Sequence, residues 1–236
     1  MRFAHIAVPK ASLSSTFEAP YRRFVDLKRT SRSMQALTLA GSPSAHSRST
    51  RLLTIAGEYL RRHAIAVDTV RVSDLPASPL LAGDTSDAFI SAAVACIARA
   101  DVIVVGTPVY KAAYAGTLKI FLDLLPASAL QGKVVLPIAT GGSPAHMLAV
   151  DYALKPVLSA LGARYVLGTV YVVDGQFPAN GAGAYVTTPD VEHRLFDALA
   201  RLVDSLHWSS HLQRETTRTA ANSPEILRSD AARCSA

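Results

Sequence analysis

Ala36-Leu37-Thr38-Leu39-Ala40-Gly41-Ser42-Pro43-Ser44-Ala45-His46-Ser47-Arg48-Ser49-Thr50 is the stretch on which the fold turns. Its first five residues form a short apolar run of strand type. A Gly-Ser-Pro turn follows, and then Leu52, Leu53, Ala56 and Leu60 recur at helical spacing. Strand, polar loop and amphipathic helix in that order form the opening of a unit in which helices cover a parallel sheet.

Downstream the alternation repeats. Val67–Val72 reads as a second strand. Phe89, Ile90, Ala93, Val94 and Ile97 form a helical stripe that starts near Asp84-Thr85-Ser86. Val102–Val105 is a β-branched third strand, ended by Gly106-Thr107-Pro108. Tyr114, Leu118, Phe121, Leu122 and Leu125 then follow at helical spacing up to Pro126. Val134–Ala139 is a fourth strand, closed by Thr140-Gly141-Gly142. Ser143 and Pro144 open a helix expected to run to Leu161, bent near Tyr152 by Pro156. Arg164–Val173 is a fifth strand, residues 174–189 a loop, and Asp190 the cap of a last helix carrying Leu195, Phe196, Leu199, Leu202, Val203 and Leu206.

Five strands alternating with helices predict an α/β, flavodoxin-like fold: a five-stranded parallel sheet, order 2-1-3-4-5, with helices on both faces. That order places the ends of the first and third strands at the switch point, where ligands bind in such sheets. Pro137 is the discordant residue, because proline is disfavoured inside an interior strand.

Composition sets limits. The chain has 236 residues, half of them hydrophobic and 18% charged, enough for one domain with flanking segments. No apolar run is long enough to span a bilayer. The net charge of +6 is concentrated in residues 1–33, which carry +5, so the remainder is almost neutral and offers little to nucleic acid. Residues 1–33 read as an N-terminal extension without sustained periodicity; a basic, acid-poor targeting segment is the competing reading. Residues 34–208 form the expected domain and 209–236 a polar tail. Cys96 and Cys234 belong to no metal-ligand spacing, and sparse cysteine fits the cytoplasm.

Three loops carry the candidate chemistry. In the first, Ser42, Ser47, Ser49 and Thr50 offer hydroxyls, the helix N-terminus offers backbone N–H groups, and Arg48 offers charge. The loop is neither GxGxxG nor GxxxxGK[ST], so it suits a terminal monophosphate better than a dinucleotide or triphosphate; a plain Ser-rich turn is the alternative. The second loop, Thr107-Pro108-Val109-Tyr110-Lys111-Ala112-Ala113-Tyr114, sets Pro108, Val109 and Tyr110 where a flat ring could lie, though Tyr110 reads equally as a surface aromatic. In the third, Thr140, Gly141 and Gly142 allow close approach of backbone to a ligand, or form a plain strand-to-helix turn. His146 reads as either a ligand contact or a structural residue. No nucleophile, base and orienting group come together, nor any metal cluster, which suits chemistry carried by a cofactor.

Together the Gly41-Ser42-Pro43 turn, Ser47-Arg48-Ser49-Thr50, Thr107–Tyr114 and Ala139–Gly142 resemble the NADPH-dependent FMN reductase family. Within it they are most similar to the reductase component of two-component alkanesulfonate monooxygenases. Gln131–Pro137 and Asp151–Leu158 look like that branch too. The resemblance implies that FMN and NADPH are used and that the first loop holds the FMN phosphate. It places the isoalloxazine between Pro108–Tyr110 and Thr140–Gly142, and implies release of reduced FMN to a partner monooxygenase that desulfonates organosulfonates. It also implies a homo-dimer or homo-tetramer, and a π-bulge near Tyr114 in the following helix. An FMN-retaining quinone or azo reductase, a flavodoxin-type electron carrier, and a basic-leader binding protein with a vestigial flavin site are the alternatives.

Overall fold

The computed structural model describes residues 34–180 and 185–221, with side chains up to residue 206. The expected extension, residues 1–33, and the end of the expected tail, residues 222–236, lie outside the described residues.

The sheet is built on β1 (Gln35–Ala40), β2 (Ala66–Arg71), β3 (Val102–Tyr110) and β5 (Val134–Gly141), with the short β4 (Ala113–Tyr114), β6 (Tyr165–Val166) and β7 (Val170–Val173). The spatial order is β2-β1-β3-β5-β6, with β4 paired to β3 and β7 to β5. The expected fifth strand is thus divided into β6 and β7, both parallel to β5. Pro137 explains the division. The Val135 carbonyl accepts from Leu167 on that flank. Groups two residues apart point the same way, so the N–H that Pro137 lacks would point there too. β6 covers Val134 and Val135, β7 resumes at Ile138, and Pro137 falls in the gap.

Side chains alternate across the sheet as a period of two requires. Leu37, Leu39, Ile103, Val105 and Val135 pack on α3 (Ala88–Arg99) and α4 (Gly116–Asp123). Ala36, Val102, Val104, Leu136 and Ile138 pack on α1 (Arg48–Arg62) and α6 (Pro189–Ala221). A further short helix, α2 (Ala77–Ala82), has too few apolar positions to show periodicity in sequence.

Several local expectations are corrected. β3 does not end at Pro108 but runs to Tyr110 and turns through Lys111-Ala112 into β4, so Tyr114 is a strand residue, and no π-bulge lies at 113–116. The helix expected over Ser143–Leu161 is broken: a tight turn at Pro144–Met147, a π-turn at Val150–Leu154 and then α5 (Lys155–Ala160). The cause is Pro156, whose missing N–H and bulky ring disrupt the preceding turn; the Lys155 N–H bonds the Val150 carbonyl instead. α6 opens at Pro189, which leaves Asp190 inside the first turn, paired with Arg194 at 3.0 Å. It also continues past Trp208 to Ala221.

The β3–β4 turn is unusual. Lys111 (φ 49°) and Ala112 (φ 61°) both occupy the left-handed region, as a type I′ turn demands, yet neither is Gly or Asn. Ala112→Gly removes about 1–2 kcal/mol of strain and loses about 0.4–1 kcal/mol through a freer unfolded chain. The expected result is a higher urea midpoint at unchanged slope; a lower midpoint would show that Ala112 is not held left-handed.

Candidate active site

The three loops meet at the carboxyl edge of the sheet. Ala40 pairs with Gly106, and Pro108 with Thr140, so the ends of β1, β3 and β5 lie side by side. β1 has neighbours on both sides, and the β1–β3 junction is the switch point.

In the first loop Ser47 caps α1: its Oγ accepts from the Thr50 N–H at 3.1 Å. The same oxygen lies 3.1 Å from Ser49 Oγ and 2.8 Å from Thr50 Oγ1. Three hydroxyls therefore cluster at a helix N-terminus, with Ser49 and Thr50 buried. Ser42 is also buried, its Oγ accepting from the Ser44 N–H at 3.1 Å. Arg48 reaches sideways. Its Nε donates to the Phe177 carbonyl at 3.0 Å, one terminal nitrogen lies 3.5 Å from Asp174, and its guanidinium stacks 4.6 Å from the centre of the Tyr185 ring. The arginine thus ties the first loop to the segment after β7.

The glycines have roles the sequence did not indicate. A Cβ on Gly41 would stand 2.5 Å from Leu118 Cβ, so this glycine lets α4 approach β1. Thr117 Oγ1 fixes that approach by donating to the Gly41 carbonyl at 2.6 Å. A Cβ on Gly141 would collide with the Tyr171 hydroxyl, whereas one on Gly142 would meet nothing within 4 Å. Tyr171 donates to the Ser143 carbonyl at 2.7 Å and so pins the third loop. Burial, and then the Asp174 carboxylate, push this phenol above its ordinary pKa and keep it a donor.

The second loop is fastened by Thr107, fully buried, whose Oγ1 accepts from the Ala115 N–H at 3.0 Å and donates to the Pro108 carbonyl. Pro108 and Val109 are buried, while Tyr110 is 51% exposed beyond them. Thr140 is buried too.

These residues fit a phosphorylated flat ligand. The first loop offers hydroxyls and helix N–H groups to an anion. The edge beside Gly142 is open, and next to it His146 Nδ1 is buried without a hydrogen-bond partner. A buried polar atom left unpaired is costly, so a ligand atom there would satisfy it. The polar cleft lined by Thr38, Thr50, Thr54, Thr69, Arg61 and Arg71 is a different feature. It runs along α1 and β2, and its hydroxyls are spent on one another and on backbone: Thr38 Oγ1 to Thr69 Oγ1 at 2.9 Å, Thr54 Oγ1 to the Thr50 carbonyl at 3.2 Å.

The sequence profile of the NADPH-dependent FMN reductase family matches residues 34–177. The chain belongs to this family. It is 46% identical over 167 residues to an FMN reductase (NADPH) of Pseudomonas putida, covering 70% of this chain and 85% of the relative. It is 45% identical over 174 residues to the FMN reductase (NADPH) of Escherichia coli K12, covering 74% and 91%. A solved NADH:FMN oxidoreductase, EMOB, superposes with a TM-score of 0.67 at 40% identity, covering 73% of this chain and 90% of that one. A Streptococcus pneumoniae flavodoxin at 18% identity, TM-score 0.50, covering 73% and 99%, shares the fold.

The protein is therefore an FMN-reducing oxidoreductase of flavodoxin-like fold. Among the described residues no group of His, Cys, Asp and Glu is arranged for a metal, and no helix is long and apolar enough to cross a membrane.

Proposed function

We propose that this FMN reductase uses NADPH and releases reduced FMN to a partner monooxygenase that desulfonates organosulfonates in the cytoplasm. The observation that supports it most is the pairing of a hydroxyl-lined helix N-terminus with an open edge: Ser47, Ser49 and Thr50 for a phosphate, Gly142 and the exposed Tyr110 at an edge a ring could enter and leave. Relatives named NADH-dependent FMN reductase SfnF (30% identical over 177 residues) and SfnE support FMN reduction, with NADH rather than NADPH as their reductant.

When bound, FMN supplies the hydride acceptor. The chain's own residues bind and orient. In this reading Ser47, Ser49, Thr50 and the first-turn N–H groups of α1 hold the phosphate, joined by Ser42 and by the charge of Arg48. Pro108, Val109 and Tyr110 support one side of the ring, and Thr140, Gly141 and Gly142 give it backbone on the other. No protein acid or nucleophile takes part.

The test is coupling. The purified chain with NADPH and catalytic FMN, added to an FMNH2-dependent alkanesulfonate monooxygenase and its substrate, is expected to release sulfite. Absence of sulfite while FMN is being reduced would move the reading to an FMN-retaining reductase.

A further inference from the structure

We infer that Lys111, on the turn between β3 and β4, is the residue that selects NADPH over NADH by pairing with the adenosine 2′-phosphate. The inference rests on the FMN reductase reading and goes beyond it by naming the group that reads the nucleotide.

NADPH and NADH differ only in that phosphate, so discrimination requires a donor that is free to pair with it. The charged side chains around this edge are mostly committed elsewhere. Arg48 belongs to the first loop, where the reading above gives its charge to the FMN phosphate, and it is tied besides to Asp174, Phe177 and Tyr185. Arg71 is paired with Asp74 at 3.4 Å, and Arg194 with Asp190 and the Tyr171 carbonyl. Lys119 pairs with Asp123 and Lys155 with Asp151, each at 2.5 Å. Lys111 is exposed and makes no ion pair or hydrogen bond within the described residues.

Its place in the fold strengthens the case. β3 is the central strand of the site, flanked by β1 and β5, so the turn that extends it stands between the first and third loops. The turn is held in a strained left-handed conformation at both Lys111 and Ala112, and strain of this kind persists where the surroundings over-determine it, commonly at binding sites. Arg51 is the rival cation: it is exposed in the first turns of α1, outside the β3–β5 edge.

The experiment uses the full chain and the variants Lys111→Gln, Lys111→Arg and Arg51→Gln. KM and kcat are measured with NADPH and with NADH at saturating FMN. Binding of adenosine 2′,5′-bisphosphate and of adenosine 5′-monophosphate is measured by calorimetry, a readout that needs no turnover. Loss of one charge-assisted contact predicts a rise in KM for NADPH of about ten-fold in Lys111→Gln, with kcat and the KM for NADH unchanged. The preference for the bisphosphate is expected to vanish in Lys111→Gln and to persist in Lys111→Arg and Arg51→Gln. Equal changes for both nucleotides, no change, a wild-type chain with no preference, or loss of preference in Arg51→Gln instead would each overturn the assignment. Failure of the wild-type chain to reduce FMN at all would strike the underlying reading, which separates the two.

Discussion

Gly141→Ala is expected to weaken FMN binding by about ten- to a hundred-fold and to lower stability by about 1–3 kcal/mol, the usual cost of forcing an extra methyl into a packed site. The new methyl would occupy the position of the Tyr171 hydroxyl and press on Val109, whose Cβ would lie 3.4 Å away. The phenol cannot swing aside freely, because its O–H holds the Ser143 carbonyl. Relief therefore requires breaking that bond, and the loop that carries Gly142 and Ser143 moves with it. Tyr171→Phe in the same background removes the oxygen that clashes. Most of the lost stability is expected to return in the double variant, although the Ser143 carbonyl still lacks its donor. Urea midpoints and a flavin-fluorescence titration read the two effects separately. If the double variant is no better than Gly141→Ala alone, the clash does not lie between these two residues.

Arg48→Ala is expected to lower FMN affinity by about ten-fold or more, since a hydrogen bond to a charged group contributes about 1.5–3 kcal/mol. Its effect on the stability of the flavin-free protein is expected to be small. The Arg48–Asp174 pair is partly exposed, at 28% and 44%, and such pairs contribute about 0–1 kcal/mol. Ser47→Ala has the opposite balance. It removes the cap of α1, which costs about 1 kcal/mol of stability, and it takes away one of the hydroxyls proposed to hold the phosphate. Comparing Arg48→Ala with Arg48→Lys separates charge from the planar fork that also reaches Phe177 and Tyr185. Unchanged flavin affinity in both Arg48→Ala and Ser47→Ala would mean that the phosphate binds elsewhere.

These expectations show what is readable in a linear sequence and what is not. The strand order follows from local signals: apolar runs, turn residues and right-handed crossovers. The convergence of Gly41, Thr107 and Thr140 follows from that order alone. Pairings between distant residues leave no such trace. Arg48 meets Phe177 across 129 positions, and Tyr171 meets Ser143 across 28. Gly41 reads as a turn residue and Gly141 as room for a ligand, yet their missing side chains make room for Leu118 and Tyr171.

The β3–β4 hairpin was obscured for a different reason. Pro108 usually ends a strand, and Tyr114 keeps helical spacing with Leu118 and Leu122, so local pattern and tertiary pairing disagreed. At Pro156 the local signal was correct in kind, but the chain answered with a π-turn and a tight turn rather than one bent helix.

The most direct test is the visible spectrum of the purified protein, followed by NADPH oxidation with and without added FMN. A colourless protein that oxidises NADPH only when FMN is supplied is the expected result, because flavin is then a substrate taken up and released at the open edge. A yellow protein that passes electrons to a quinone or dye and gains nothing from added FMN would contradict it.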